Sequence, residues 1–323
     1  MWSVTRGANV TIALVDTGVQ PNANLSGRLL TGADFSNLEG ITTGDGHIDT
    51  DSFGHGTGQA SLIAGSGKDK KDAEGLAPEA SILPVRASDG SSSGFVFGLA
   101  PSIEYAVAQK ASVISLALID SFNDLDVHRA VQDALDHDVV VVAAVGNDGN
   151  SQQYYPAAWS GVIGVGAVDS SGRVWRKSNT GADVALVAPG VDILRDDNHG
   201  RVGYSDGTSE ATAYVSAAAA LVRSAHPGWS AAEVVAALEE TADKPAAMGG
   251  AVRDDRYGAG ILDVLAAVRL AEPPVVGGAA GGAVAPMRKA AGGGWGWLFG
   301  VGGAAGVCGL IVFGARRWVR RRA

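Results

Sequence analysis

The sequence predicts an α/β domain in which a mostly parallel sheet is covered by helices on both faces. Three observations predict it. Short β-branched apolar segments alternate with helical segments over residues 8–270, these apolar segments are continuous, and polar residues flanked by glycine follow several of them. Continuous apolar strands are typical of parallel sheets that are buried on both faces. With 323 residues, of which 46% are hydrophobic and 18% charged, the chain can bury a large core and is unlike a disordered protein.

The individual elements follow from where these patterns begin and end. In chain order, strands are expected at residues 10–15, 80–85, 113–118, 139–144, 162–168 and 184–188. Helices are expected at residues 56–64, 101–110, 124–136, 209–225 and 230–240. Ser230 followed by Glu233 predicts a capping box at the start of the last helix.

The composition changes after residue 270. Residues 271–294 are rich in Pro, Gly and Ala, which is typical of a linker. Residues 295–313 carry no charge and would form a helix of about 28 Å, close to the thickness of a bilayer core. We therefore predict a folded domain over 1–270, a linker over 271–294, a transmembrane helix over 295–315 and an Arg-rich tail over 316–323.

The charge distribution predicts where these segments lie. Five arginines follow the apolar stretch, and such clusters favour the cytoplasmic side of a membrane. The domain is then expected outside the cytoplasm, on a single-pass cell-membrane protein. Residues 1–15 lack the features of a signal peptide, so we expect an upstream segment to direct export. The alternatives are a terminal helix docked on the domain, and a soluble intracellular protein with an incidental apolar tail.

The composition argues against nucleic-acid binding and against structures that depend on several cysteines. Residues 1–315 contain 20 basic and 34 acidic side chains, and this excess of negative charge predicts no nucleic-acid partner. The single cysteine, Cys308, excludes an internal disulfide and a multi-cysteine zinc site.

Three polar residues could together carry out acyl transfer. Asp16 follows the first strand in VDTG, His55 lies in GHGTG, and Ser209 begins a helix of small residues in GTSEATA. Each taken alone is more often a turn or capping residue. Together they supply a nucleophile, a base that takes its proton, and a carboxylate that orients the base. Their order in the chain, Asp, His, Ser, differs from that of the α/β-hydrolases and of the chymotrypsin type.

A fourth residue could stabilise the negative charge that develops on the attacked carbonyl oxygen. Asn147 follows a buried strand in AAVGN, and its side-chain amide could donate to this oxyanion together with the backbone N–H of Ser209. The alternative is an ordinary turn residue between glycines.

These motifs resemble, in order, those of the subtilisin-like serine peptidases, or subtilases. The shared segments are VDTG, HGTG, GLAPEASILPVR, AAVGN, YPAAWSGVIGVGA, VALVAPG and GTS, within about residues 8–268. The resemblance implies a subtilisin-like three-layer fold, a peptide or protein substrate and no required cofactor. It also implies that Asp16, His55 and Ser209 form the catalytic triad and that Asn147 is the oxyanion donor. The segment Ser115, Leu116, Ala117 is implied to pair with the substrate backbone as an edge strand.

The C-terminal segments further resemble mycosins, membrane-bound subtilases associated with type VII secretion. This resemblance makes secretion-system proteins candidate partners. However, many subtilases have GTSMAxP where this chain has GTSEATA, which places Glu210 directly after Ser209, and SLALID lacks the usual SLG ending. A catalytically inactive scaffold on a subtilase fold is therefore the alternative to a membrane-anchored endopeptidase.

An acidic loop is the one candidate for a metal site. Asp45, Asp49 and Asp51 could hold structural calcium, as subtilases often do, but the loop lacks the EF-hand pattern. A solvated acidic loop is the alternative, and we predict no metal site.

Overall fold

The computed structural model describes residues 1–37, 42, 44–69, 71–90 and 98–276. The predicted transmembrane helix at 295–315, the tail at 316–323 and most of the predicted linker lie outside the described residues. Among the helices of the described ranges, none is both long and apolar enough to cross a bilayer.

A parallel sheet of seven strands forms the centre of the domain. These strands are β1 (Thr11–Asp16), β2 (Ala33–Asp34), β3 (Ser81–Arg86), β4 (Val113–Leu116), β5 (Val140–Ala144), β6 (Ile163–Val168) and β7 (Leu186–Pro189). Their order across the sheet is β2-β3-β1-β4-β5-β6-β7. A separate antiparallel hairpin pairs β8 (Ile193–Asp196) with β9 (Val202–Ser205). All six predicted strands are present, whereas β2 and the hairpin were not predicted because they are short and carry no continuous apolar run.

The described residues form six α-helices, of which the first five pack on the sheet and the last packs on the two helices before it. These α-helices are α1 (His55–Ala64), α2 (Leu99–Ala108), α3 (Leu125–Asp136), α4 (Thr208–Ala225), α5 (Ala231–Glu240) and α6 (Val264–Val268). The first five were predicted within two residues at each end. The predicted capping box is confirmed, since the Ser230 hydroxyl accepts from the Glu233 N–H and the Glu233 carboxylate accepts from the Ser230 N–H.

Alternate residues of each strand contact opposite layers of helices. In β1, Ile12 and Leu14 belong to a core that includes residues of α1, α4, α5 and α6, while Ala13 and Val15 belong to a core with α2 and α3. Both sets are buried, which explains why the strand sequence is apolar at every position. The predicted three-layer arrangement of helices, sheet and helices is therefore confirmed.

This topology brings three strand ends to one edge of the sheet. β4 lies between β1 and β5, and all three run in the same direction. The residues that follow these strands therefore meet at their carboxyl edge, the usual place for a site in a parallel sheet.

Candidate active site

An acid and an imidazole are joined by a short hydrogen bond at this edge. Asp16 is the last residue of β1 and is fully buried, and its Oδ1 lies 2.7 Å from Nδ1 of His55. The same oxygen accepts from the backbone N–H of Thr17 at 2.7 Å. His55 begins α1 directly after Gly54, whose φ of 64° lies in the left-handed region that favours glycine. With Nδ1 held by Asp16, Nε2 is the nitrogen that can serve the cleft.

Neighbouring side chains hold this pair in place. The Thr17 hydroxyl accepts from the Gly56 N–H and donates to Asp49, each at 2.9 Å. Asp51 accepts from the backbone N–H of His55 at 3.0 Å. The start of α1 is therefore tied to the end of β1 by hydrogen bonds, of which those to Asp16 and Asp49 are charge-assisted.

The acidic residues considered as calcium ligands serve other interactions. Asp49 is buried and accepts from both the N–H and the hydroxyl of Thr57. Burial raises its pKa, although hydrogen bonds from threonine oppose the effect. Asp45 pairs with His47, and Asp51 caps the backbone before α1. Over the described ranges, no group of three or more His, Cys, Asp or Glu side chains is arranged to hold a metal ion.

Ser209 is the second residue of α4 and lines the same cleft as His55. The cleft has a volume of about 510 Å³. The Ser209 hydroxyl donates to the backbone carbonyl of Ala117 at 3.2 Å. No hydrogen bond joins Ser209 to His55 within the described part of the chain. The structure therefore brings the acid and the base together by a direct bond, and the hydroxyl to their cleft but not into bonding contact.

Asn147 also lines the cleft, in the turn after β5. Its Oδ1 accepts from the backbone N–H and from the hydroxyl of Thr208, each at 2.9 Å. These two donors assign the oxygen end of the amide, because an NH₂ group could not accept from them. Nδ2 is consequently left to donate elsewhere, next to the first turn of α4.

The three residues predicted to bind the substrate backbone differ in position. Ser115 and Leu116 lie inside β4, which pairs with β1 on one side and β5 on the other. Ala117 lies just beyond the strand and lines the cleft with Leu118 and Ile119. Within the predicted triplet, Ala117 is thus the residue that lines the cleft.

The electrostatic surroundings of His55 favour its protonated form. Burial lowers the pKa of His55, but the charge and hydrogen bond of Asp16, with a further contribution from Glu210, outweigh burial and raise the pKa to about 9. Arg195 has the opposite effect and lowers it. The neutral, deprotonated form of the His55 ring therefore becomes abundant only at alkaline pH.

Arg195 is the residue of this site that sequence analysis missed. It lies in β8, lines the cleft and approaches the carboxylate of Glu210 to 3.4 Å. The sequence shows Glu210 but not its burial, so the need of this buried carboxylate for a cationic partner is evident only from the structure.

Comparisons with known proteins identify the family of this chain. The model of the subtilase family matches residues 7–260. The chain is 38% identical over 250 residues to the thermophilic serine proteinase of Bacillus sp. (strain AK1), covering 77% of this chain and 60% of that relative's length. It is 38% identical over 254 residues to thermitase of Thermoactinomyces vulgaris, covering 77% and 86%.

The fold is also similar to that of a solved structure. It is that of a serine protease MycP1, described as an essential component of the type VII (ESX-1) secretion system. The two folds align with a TM-score of 0.73 and 27% identity over 83% of this chain and 85% of that one. Since the family model covers most of the chain and the fold agrees, this chain belongs to the subtilase family.

Proposed function

We propose that the chain is a serine endopeptidase that hydrolyses peptide bonds through an acyl-enzyme on Ser209. The observation that carries the proposal is the 2.7 Å bond between Asp16 and His55 at a cleft that Ser209 and Asn147 also line. Family membership supports the reaction class, since the relative from Bacillus sp. (strain AK1) is described as a serine proteinase.

In the first step, the Ser209 oxygen attacks the carbonyl carbon of the substrate. His55 takes the hydroxyl proton on Nε2, and Asp16 fixes the ring and stabilises the imidazolium that forms. For this transfer the hydroxyl turns from the Ala117 carbonyl toward His55, and such contacts commonly tighten only when substrate is bound.

The tetrahedral intermediate carries its negative charge on the former carbonyl oxygen. Nδ2 of Asn147 and the N–H of Ser209 are the donors available to it, and the N-terminus of α4 adds a favourable dipole. His55 then gives its proton to the leaving amine, which departs and leaves the acyl-enzyme. Water activated by the same imidazole hydrolyses the ester and restores Ser209.

Peptide hydrolysis by the full chain tests the proposal. Ser209→Ala should reduce kcat by about a million-fold, the scale on which a subtilisin-type site loses activity without its serine. Ser216→Ala is the matched control, because Ser216 lies buried in the same helix and its hydroxyl has no hydrogen-bond partner within the described residues. Equal activity of the Ser209→Ala and Ser216→Ala proteins would contradict the proposal.

We further propose that residues 295–315 anchor the peptidase in the cell membrane, with the catalytic domain outside the cytoplasm. The support is the uncharged stretch followed by arginines. A chain that ends at residue 294 should move from the membrane pellet to the soluble fraction, and external protease should digest the domain of the full chain in intact cells. A soluble full-length chain would contradict the anchor.

The similarity to MycP1 makes secretion-system proteins candidate partners of this chain. One observation favours a scaffold without catalysis, namely that the Ser209 hydroxyl is bonded to Ala117 and not to His55. A scaffold would keep its biological role in a Ser209→Ala strain, whereas a peptidase would lose it.

A further inference from the structure

The residue that follows the proposed nucleophile is a buried acid. Glu210 is 2% exposed, although it lies in the first turn of α4 next to Ser209. Its Oε1 lies 3.4 Å from Nε of Arg195, close enough for charge pairing, and 3.5 Å from the Gln59 amide. Such a burial is unfavourable unless the charge is compensated, so this carboxylate depends on Arg195.

Arg195 extends from this ion pair to the backbone that enters α1. Its Nη1 donates to the carbonyl of Gly54 at 3.0 Å and to that of Phe53 at 3.2 Å. Gly54 immediately precedes His55. One guanidinium therefore links the helix that carries Ser209 to the segment that sets the position of His55.

Two glycines leave the space that this pair occupies. A Cβ on Gly58 would lie 2.1 Å from Nη1 of Arg195, and a Cβ on Gly207 would lie 2.6 Å from Oε2 of Glu210. Neither glycine has a φ that excludes other residues, since Gly58 is inside α1 and Gly207 is extended. Their small size at these two positions leaves room for the ion pair.

We propose that Glu210 and Arg195 are positioning residues for His55, with Arg195 holding the backbone that enters α1 and Glu210 holding Arg195 to α4. The proposal rests on the proposed function, because it assigns His55 the role of base. Neither side chain touches the reacting atoms. The pair acts by keeping two separate elements at a fixed distance.

The charges of the pair give this arrangement a signature. Glu210 raises the pKa of His55 and Arg195 lowers it, so loss of one partner alone should move the imidazole titration in opposite directions. A loss of packing alone would not produce shifts of opposite sign. The charged groups that face His55 from the surrounding elements are Asp16 on β1, Asp51 before α1, Arg195 on β8 and Glu210 on α4.

Nuclear magnetic resonance titration of the His55 ring in the full chain tests the proposal without requiring activity. Glu210→Gln should shift the titration to lower pH, and Arg195→Met should shift it to higher pH. The double variant Arg195→Met, Glu210→Met should return close to the wild type. Arg201→Met is the matched control, because Arg201 belongs to the same hairpin region but its side chain is exposed and paired with Asp197.

Kinetics separate positioning from charge. Each single variant should lose about 10- to 100-fold in kcat/KM, mainly in kcat, because small displacements of a catalytic group are costly. Arg195→Lys should keep the titration of His55 but lose kcat, since a single ammonium cannot reproduce the guanidinium's contacts to Glu210 and both carbonyls.

Titrations that move in the same direction, or not at all, in folded single variants would overturn the proposal. If Arg195→Met does not fold, Glu210→Gln and the double variant decide, and an unchanged titration in Glu210→Gln would refute it. Failure of the proposed function would look different, because a wild type without hydrolysis would still show the titrations of opposite sign.

Discussion

The two sides of the cleft hold their functional groups in different ways. On the β1 side, Asp16 and His55 are joined at 2.7 Å and braced by hydrogen bonds from adjacent loops. On the α4 side, Ser209 makes one longer bond of 3.2 Å to a backbone carbonyl. The proposed acid and base are thus preorganised, while the proposed nucleophile is not in hydrogen-bonding contact with the base.

This difference shows where the chain departs from the usual subtilase pattern. The preorganised side carries the family motifs VDTG and HGTG, and the other side carries GTSEATA with its buried acid. Substitutions on the first side should therefore disturb protonation and orientation of the base. Substitutions on the second should disturb stabilisation of the oxyanion and the alignment of Ser209.

The largest effect after removal of the nucleophile is expected on the preorganised side. Asp16→Asn keeps the size of the side chain but offers an amide to Nδ1, which favours the wrong tautomer of His55. We expect kcat to fall by about 10,000-fold, measured on a peptide substrate at saturation. Asp169→Asn, a change in an exposed turn, is the control and should leave kcat unaltered. An Asp16→Asn enzyme within tenfold of wild type would contradict the assigned role.

On the α4 side, Asn147→Ala should reduce kcat by about 100- to 1000-fold with little change in KM, because its amide donates mainly to the oxyanion. That range is the one known for the corresponding donor of subtilisin-type sites. Asn150→Ala in the same loop is the matched control, since its side chain bonds to Gln152 in the exposed part of the turn. A variant that raises KM and leaves kcat intact would place Asn147 in ground-state binding instead.

The raised pKa of His55 predicts an alkaline activity profile. Below a pKa of about 9, kcat/KM should increase about tenfold per pH unit as the imidazole loses its proton. Stability should follow the opposite trend. Because the folded pKa lies above the usual 6.5, the stabilisation from the protonated ring is fully present below pH 6.5 and is lost as pH rises through about 9.

Two measurements check these signs. Unfolding by denaturant at pH 6.5 and at pH 9.5 should show a smaller free energy at the higher pH, and His55→Gln should reduce that difference. A kcat/KM profile that is flat between pH 6.5 and 9 would contradict the raised pKa of the free enzyme.

The smallest expected effect concerns the support of Asn147. Thr208→Val removes one donor to Oδ1 and leaves the backbone N–H of residue 208 as the other. We expect about a tenfold loss of kcat, the equivalent of about 1.4 kcal/mol, which is close to one hydrogen bond. Thr212→Val, one turn further along α4, is the matched control, because its hydroxyl bonds only to the backbone of its own helix.

Much of the fold could be predicted because the strands of the parallel sheet are continuous segments of apolar residues. Val140 and Val141 face opposite layers of helices, so a polar side chain is unfavourable at either position. The strand is therefore recognisable in the sequence as a continuous apolar segment. The hairpin β8–β9 has no such signal, since its residues are largely exposed or half-buried. Arg195 lies in that hairpin, so its place beside Glu210 in the cleft could not be predicted from the sequence pattern.

The residues of the candidate site could also be predicted in part from the sequence. Asp16, His55, Asn147 and Ser209 stand in short motifs with glycine, and all four line or adjoin one cleft. Sequence could not show that Ser115 is paired with both β1 and β5, or that Leu116 is paired with β5, because strand order is a property of the whole topology. Nor could it show that Glu210 is buried, since the helix dipole favours an acid in the first turn of an exposed helix as well.

The central claim is that Asp16, His55 and Ser209 act as one catalytic unit. Labelling of the full chain with a fluorophosphonate, followed by mass spectrometry, tests it most directly, because the probe reacts only with an activated serine. We predict labelling at Ser209 in the wild type and its loss in His55→Ala, with Ser216→Ala labelled like the wild type. Absence of labelling in folded wild-type protein at pH 9, or labelling that survives His55→Ala, would contradict the account.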